Sequence, residues 1–167
     1  MEPAEKDLST KHGEFVPIIA AIERAEATVG VGESELRIQA ADLHESLAHG
    51  LIPHAIGEGR TLFPVLRRLT GSDRASVAMN RDHKELARLT DELDRLRSSM
   101  VRTGLDAATE RSLTRVLHEL RELMSRHFAE EEQVCFQVLK AELSPDEARQ
   151  MCEAMERTAA EVRSLYE

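Results

Sequence analysis

Apolar residues along the chain recur at intervals of three and four, which is the spacing of one face of an α-helix. The first such stretch covers about residues 8–28, where His12, Phe15, Ile19 and Ile22 share a face. The segment "GVGESE" interrupts the pattern, and a second helix is predicted over residues 33–69. Pro53 lies inside that second helix and predicts a kink, because proline lacks the backbone N–H that a helix interior requires.

Three more helices follow. The third begins after Ser72, the fourth runs from Asp106 to about residue 139, and "SPDE" from Ser144 has the residues of a capping box that starts a fifth. The third helix has one apolar stripe, made of Met79, Leu86, Leu89, Leu93, Leu96 and Met100. The fourth has another, made of Leu113, Val116, Leu120, Leu123, Val134 and Val138. Long helices joined by short loops predict an all-α fold. We expect one domain, residues 1–167, built as an antiparallel up-down four-helix bundle with an additional C-terminal helix at about 144–167.

Composition supports this fold class and restricts the function. Aromatic residues make up 3% of the 167 residues, so the chain is poor in residues that favour strands. The net charge of −9 provides no basic surface for nucleic acid or for an anionic membrane. The N-terminus does not resemble a signal peptide, no apolar run could span a bilayer, and two cysteines suit a reducing compartment. We therefore expect a cytoplasmic protein without nucleic-acid or membrane partners.

The histidines are the first candidates for functional residues. Three of the seven histidines precede a glutamate by four residues, which places both side chains on one helix face. His118, followed by Glu122, lies nearly opposite the leucine stripe of the fourth helix and is expected at the surface. His127 lies on the same side as that stripe. The pairs that face inward are therefore His54 with Glu58 and His127 with Glu131.

Each of the four bundle helices thus directs at least one potential ligand toward the axis. The set is His12, His54 with Glu58, His83, and His127 with Glu131. Burying four imidazoles and two carboxylates without partners would cost several kcal/mol per ion, so the pattern favours a metal centre. The alternative is a buried polar network or bundle ends that are partly exposed. Asp82, Glu14 and Glu132 are candidates to orient the histidines through their second ring nitrogens.

The four motifs "TKHGEF", "LIPHAIGEGRTLFP", "MNRDHKEL" and "SRHFAEEEQV" resemble, in this order, the signature of the hemerythrin-like (HHE cation-binding) family. The resemblance covers about residues 8–142 and leaves the fifth helix outside. It implies two non-haem iron ions joined by an oxo or hydroxo bridge. By that resemblance Glu58 and Glu131 bridge the irons. His12 and His54 would bind one iron, and His83 and His127 the other.

The chain departs from the oxygen-carrying hemerythrins at two positions. Ala87 occupies the position at which they have a second histidine on the third helix. The second bridging carboxylate here is Glu131, whereas theirs is an aspartate one residue further along the helix. Water or Glu130 could therefore complete the coordination. Reversible oxygen carriage is accordingly disfavoured. Gly57 and Gly59 suggest space for a small ligand beside the metal, and the same ligand types also suit zinc or manganese.

Three functions remain open at this stage. The first is a di-iron protein that binds or senses oxygen, nitric oxide or peroxide, or that binds iron itself. The second is a di-iron enzyme that decomposes peroxide or reduces oxygen or nitric oxide, and the third is a metal-free helical interaction module. A ferritin-like oxidase and a zinc protease are disfavoured, because the chain lacks Glu-x-x-His and HExxH. A homodimer or a separate protein partner stays open.

Overall fold

The computed structural model describes the backbone of residues 3–165 and the side chains of residues 13 and 15–165. Over this range the chain is helical, with no strand. The elements are α1 Pro3–Thr28, α2 Glu33–Ser46, π1 Leu47–Leu51, α3 Ile52–Arg60, α4 Leu62–Thr70, α5 Arg74–Thr103, α6 Ala107–Glu130, π2 Glu131–Cys135, α7 Phe136–Glu142 and α8 Pro145–Arg163. The all-helical bundle with a further C-terminal helix is confirmed. In the described range no helix meets the length and hydropathy needed to cross a membrane.

The second predicted helix is interrupted twice, near Pro53 and near Pro64. π1 precedes α3 directly, and the N–H of Ile52 donates to the carbonyl of Leu47, five residues back. The wide turn comes directly before Pro53, at the point where the sequence predicted a kink. A second break falls at Thr61, because Pro64 has no N–H to offer Arg60; the hydroxyl of Thr61 donates to the carbonyl of Gly57 at 2.7 Å.

The order of contacts shows how neighbouring helices run. Along α5 and α6, Asp82 approaches Arg126 at 3.3 Å, and ten residues later Glu92 pairs with Arg115. As the residue number rises in α5 it falls in α6, which is the arrangement of antiparallel neighbours. The short loop between these helices, residues 104–106, allows this reversal, and Asp106 starts α6 by accepting a hydrogen bond from the N–H of Thr109.

The core has two parts. The first lies among α1, α2, α5 and α6 and is apolar, with members such as Ile22, Leu36, Leu93, Leu113 and Leu120. The second lies among α4, α5, α7 and α8 and is rich in sulfur: Leu62, Phe63, Leu66, Met79, Cys135, Leu139, Met151 and Met155. The metal-ligand candidates are found between these two apolar regions.

Val134 was expected in the core, and that prediction is wrong. Its side chain is 40% exposed, while the next residue, Cys135, is fully buried. Both residues belong to π2, whose wide turn inserts an extra residue and rotates the following side chains by about 100° relative to a regular helix. Apolar spacing interpreted as an uninterrupted α-helix does not predict this shift.

The C-terminal helix α8 packs closely against α3. It begins with the predicted capping box, in which Ser144 accepts from the N–H of Glu147 and the Glu147 carboxylate accepts from the N–H of Ser144. Opposite it, a Cβ atom placed on Gly57 would lie 2.8 Å from the carbonyl oxygen of Met155. Gly57 therefore makes room for the backbone of α8. The expectation that this glycine leaves space for a small ligand is wrong.

Candidate metal centre

The first histidine–glutamate pair lies on α3, one helical turn apart. The Nε2 atom of His54 is 2.7 Å from Oε1 of Glu58, and both residues are buried. The ring of Phe15 packs on the imidazole of His54 with the ring centres 4.7 Å apart. An aromatic face on one side and a carboxylate on the other restrict the imidazole to one orientation.

Two further histidines meet this pair from α5 and α6. The Nε2 atoms of His83 and His127 are 3.2 Å apart, and Nε2 of His83 lies 3.2 Å from Oε2 of Glu58. Phe63 stacks on the His83 ring at 5.3 Å. Glu58 thus presents one oxygen to His54 and the other to His83, as a carboxylate placed between two groups of ligands would.

Glu131 completes the buried cluster from π2. Its side chain is 1% exposed, and Oε2 lies 3.9 Å from Nε2 of His127. Its carboxyl group lies beside that of Glu58, close enough for each to influence the ionisation of the other. Two acidic side chains thus lie side by side in the interior, each within reach of a histidine.

The two carboxyl groups have opposite pKa shifts. Burial by itself raises the pKa of Glu58, but the charge of His54 and hydrogen bonds with His54, His83 and Glu131 hold it well below its ordinary value. For Glu131, burial, the negative charge of Glu58 and the hydrogen bond shared with it raise the pKa well above the ordinary value. Without a metal, the two shifts favour an ionised Glu58 beside a Glu131 that keeps its proton. A cation bound between them would take the place of that proton.

The donor atoms have the spacing that a metal ion requires. Oxygen or nitrogen atoms of Glu58, His83 and His127 all lie within 4.8 Å of one another. Two ligands ~2.1 Å from one ion are separated by about 3.0–3.4 Å when the angle between them is octahedral or tetrahedral. The 3.2 Å separations of His83 Nε2 from His127 Nε2 and from Glu58 Oε2 agree with that range. The residues present fit a metal ion of the kind that imidazole and carboxylate bind.

Asp82 is placed to orient one of these histidines. It is 4% exposed, and its Oδ2 lies 3.7 Å from Nδ1 of His127, the ring nitrogen that faces away from the cluster. Its other oxygen accepts a hydrogen bond from Arg126 at 3.3 Å. Of the other two candidates for this role, Glu132 is exposed and the side chain of Glu14 lies outside the described residues.

The six predicted ligands are not equally placed. Five of them converge on one buried volume: His54, Glu58, His83, His127 and Glu131. The sixth, His12, lies on α1, but its side chain is outside the described residues. The assignment of all six as metal ligands stays a prediction.

The remaining described histidines lie away from the cluster. His118 has a side chain 59% exposed, and its nearest acidic neighbour is Glu26 at 3.8 Å rather than Glu122. His49 pairs with Glu45 at 3.7 Å and His44 with Asp94 at the same distance. These positions agree with the interpretation of His118 and His49 as outward-facing residues.

Sequence reasoning missed the contact between Phe63 and His83. Phe63 lies five residues after Glu58, and a continuous helix would turn it away from that residue's face. The break at Thr61 redirects it toward α5. The prolines on either side of "HAIGEGRTLF" were the available signal that the helix would be interrupted there.

Comparison with known proteins agrees with the geometry. The family model for the hemerythrin HHE cation-binding domain matches residues 4–110 and 78–167. This chain belongs to that family. The match extends beyond the predicted limit at about residue 142 and includes α8. Neither the curated proteins nor the solved structures yield a match. An HHE domain binds metal cations, and the buried Glu58, His83 and His127 group is a candidate site for one.

Cys135 lies next to the cluster but differs in character from its ligands. Burial raises the pKa of its thiol to about 12, with a further contribution from the negative charges of Glu131, Glu58 and Glu130. The thiol is therefore protonated at neutral pH in the metal-free protein and is a poor nucleophile. Cys135 packs as a small buried residue in the sulfur-rich core.

Proposed function

We propose that this HHE-domain protein holds two non-haem iron ions and binds or senses a small ligand such as oxygen, nitric oxide or peroxide. The observation that carries the proposal is the position of Glu58, whose two carboxylate oxygens face different histidines, His54 and His83. A carboxylate so placed can bridge two ions. Iron bound at this position would supply open coordination sites and a change of oxidation state.

The residues around the cluster have separate tasks in this proposal. Glu58 and Glu131 supply negative charge that offsets the cations, and the imidazoles of His83 and His127 supply neutral ligands. His12 and His54 would serve the second position. The carboxylate of Asp82 lies 3.7 Å from Nδ1 of His127, and its negative charge there would favour the ring orientation that directs Nε2 toward the cluster. Leu51, Leu86, Leu123 and other apolar side chains around the cavity limit the access of water.

An enzyme that consumes peroxide, or that reduces oxygen or nitric oxide, would use the same ligands. The cavity beside His54, His83 and His127 has a volume of about 10 Å³, room for roughly one water molecule, so both functions are restricted to small ligands. Because oxygen, nitric oxide and peroxide are all small, the measurement of peroxide turnover is what separates binding from catalysis. We further propose that the protein acts in the cytoplasm and finds its ligand by diffusion.

The test is to express the chain with iron, measure iron per chain, and record the near-ultraviolet spectrum with and without azide. Two irons per chain and charge-transfer bands that shift with azide are expected. Peroxide consumed many times per iron would assign the enzymatic function instead. A folded protein that retains zinc or manganese but no iron, or no metal at all, would overturn the di-iron proposal.

The matched variants are Glu58→Ala and Glu153→Ala. Both remove one glutamate, but Glu153 is an exposed residue of α8. Loss of the spectrum in the first and its retention in the second would tie the signal to the buried cluster. Equal spectra in both would show that iron is bound elsewhere.

A further inference from the structure

An open groove lies on the outer surface between α3 and α5, next to the metal-ligand cluster. Its volume is about 380 Å³, which is at the lower end of the range for small-molecule sites. His83 and Ala55 line both this groove and the inner cavity. An occupant of the groove would therefore contact the outer side of a residue whose Nε2 atom faces Glu58.

The groove has two cationic side chains, Arg60 and Lys84. Both are exposed, and neither forms an ion pair with any residue whose side chain the structure describes. By contrast, Arg88 and Arg115 are held by glutamates on the protein surface. In a chain with 31 acidic and 22 basic residues, two uncompensated cations beside one cavity reverse the local charge. Among the residues whose side chains are described, no acidic one lines the groove.

The groove also has a direction. Contacts between the second predicted helix and α5 run in opposite order, with His44 near Asp94 and Glu58 near His83. Arg60 and Asn80 consequently lie toward one end of the groove, and Ile52 and Ala87 toward the other. One end thus carries Arg60 and Asn80, the other is apolar, and Lys84 lies on α5 between the two ends.

We propose that this groove binds a small organic anion, specifically a short-chain carboxylate. The carboxylate lies between Arg60 and Lys84, and the hydrocarbon chain packs along Ile52, Ile56 and Ala87. Charge complementarity selects the anionic end, and the apolar wall selects a carboxylate with methylene groups over an inorganic anion. The binding depends on these side chains and does not require a bound metal.

Equilibrium dialysis with radiolabelled butyrate tests this proposal on the full-length chain, both iron-loaded and metal-free, at low salt. We expect one saturable site per chain, weakened about fivefold or more when Arg60→Gln and Lys84→Gln are combined. The matched control is Arg67→Gln with Arg95→Gln. It removes the same charge from exposed residues of α4 and α5 that do not line the groove.

Two further measurements identify what is recognised. Ala87→Phe fills the apolar end, so it should weaken butyrate binding at least as much as the double charge variant, while circular dichroism confirms folding. Inorganic phosphate should compete poorly. Absence of saturable binding, equal loss in the control variant, or equal binding of phosphate would each overturn the proposal. Because binding is also measured without metal, its failure would leave the di-iron proposal standing.

Discussion

The two inward histidine–glutamate pairs have the same four-residue spacing and opposite properties. In the first, His54 and Glu58 are 2.7 Å apart on a regular helix, and the pKa of Glu58 is lowered. In the second, His127 and Glu131 are 3.9 Å apart, and the pKa of Glu131 is raised. The motif alone therefore does not determine the chemistry of its carboxylate.

The neighbouring charges explain the difference. The N–H of Glu131 still donates to the carbonyl of His127, four residues back, so these two residues keep α-helical register and the wide turn of π2 follows them. Glu58 receives contacts from two histidines, whereas the largest charge effect on Glu131 comes from Glu58 itself. The carboxylate of the first pair is therefore the better prepared for a cation.

The largest expected effect comes from removing the preorganised carboxylate. Glu58→Ala should weaken metal binding by more than ~100-fold, beyond the range seen when outer partners of a metal ligand are changed, because it deletes the group between two sets of histidines. Glu131→Ala should cost less. Metal retained per chain after dialysis against a graded series of iron concentrations measures both, and a larger loss in the second variant would reverse the comparison.

A smaller effect is expected at the residue that orients the second pair. Asp82→Asn keeps the size of the side chain but removes the charge beside Nδ1 of His127, so metal affinity should fall about 10–100-fold. Asp91→Asn changes an exposed residue of the same helix and should have no effect. The same dialysis series reports both. Unchanged affinity in Asp82→Asn would mean that the α6 histidine is held by its packing alone.

The first pair also depends on a contact that the second lacks, the approach of α8 to α3. Gly57→Ala places a Cβ atom 2.8 Å from the Met155 carbonyl oxygen, and it should lower the free energy of unfolding by about 1–3 kcal/mol. Gly13→Ala meets nothing within 4 Å and should raise it by about 0.4–1 kcal/mol. Urea unfolding followed by circular dichroism measures both. Stabilisation in both would show that α8 yields at little cost.

Helical periodicity predicted most of the fold, because apolar stripes and caps are local signals. The helix limits at Thr28, Glu33 and Asp106 follow from glycines and capping residues that the sequence displays. The family motifs likewise brought the buried histidines and glutamates together. The two π turns were not predicted, nor was the exposure of Val134, since a one-residue shift in a turn leaves no mark on a periodic pattern. The raised pKa of Glu131 was not predicted either, because it depends on burial and on the nearby charge of Glu58.

The close approach of α8 to Gly57 could not be predicted from the sequence, for a different reason. It is a contact between residues separated by almost one hundred positions, Gly57 and Met155, and it depends on where the fifth helix docks. A glycine in a helix beside a ligand suggests either space for a substrate or space for a backbone. Only the position of α8 distinguishes these two uses.

The smallest and most specific effect separates the two carboxylates in the metal-free protein. The pKa of Glu131 is raised on folding, so this group contributes stability at low pH that is lost as the pH rises through its folded pKa. Glu131→Gln cannot lose a proton, and at pH 8 it should be more stable than the parent by about 1 kcal/mol. Near pH 4 the two proteins should be equal.

Glu58→Gln should behave in the opposite way. The pKa of Glu58 is lowered on folding, so its stabilisation is present above the pKa of the unfolded chain and is lost as the pH falls through the folded one. This variant should therefore be less stable than the parent at neutral pH. Urea unfolding at a series of pH values, with Glu153→Gln as the exposed control, measures all three. Equal losses at pH 8 in both buried variants would mean that Glu131 is ionised in the folded protein and that the two pairs are electrostatically alike.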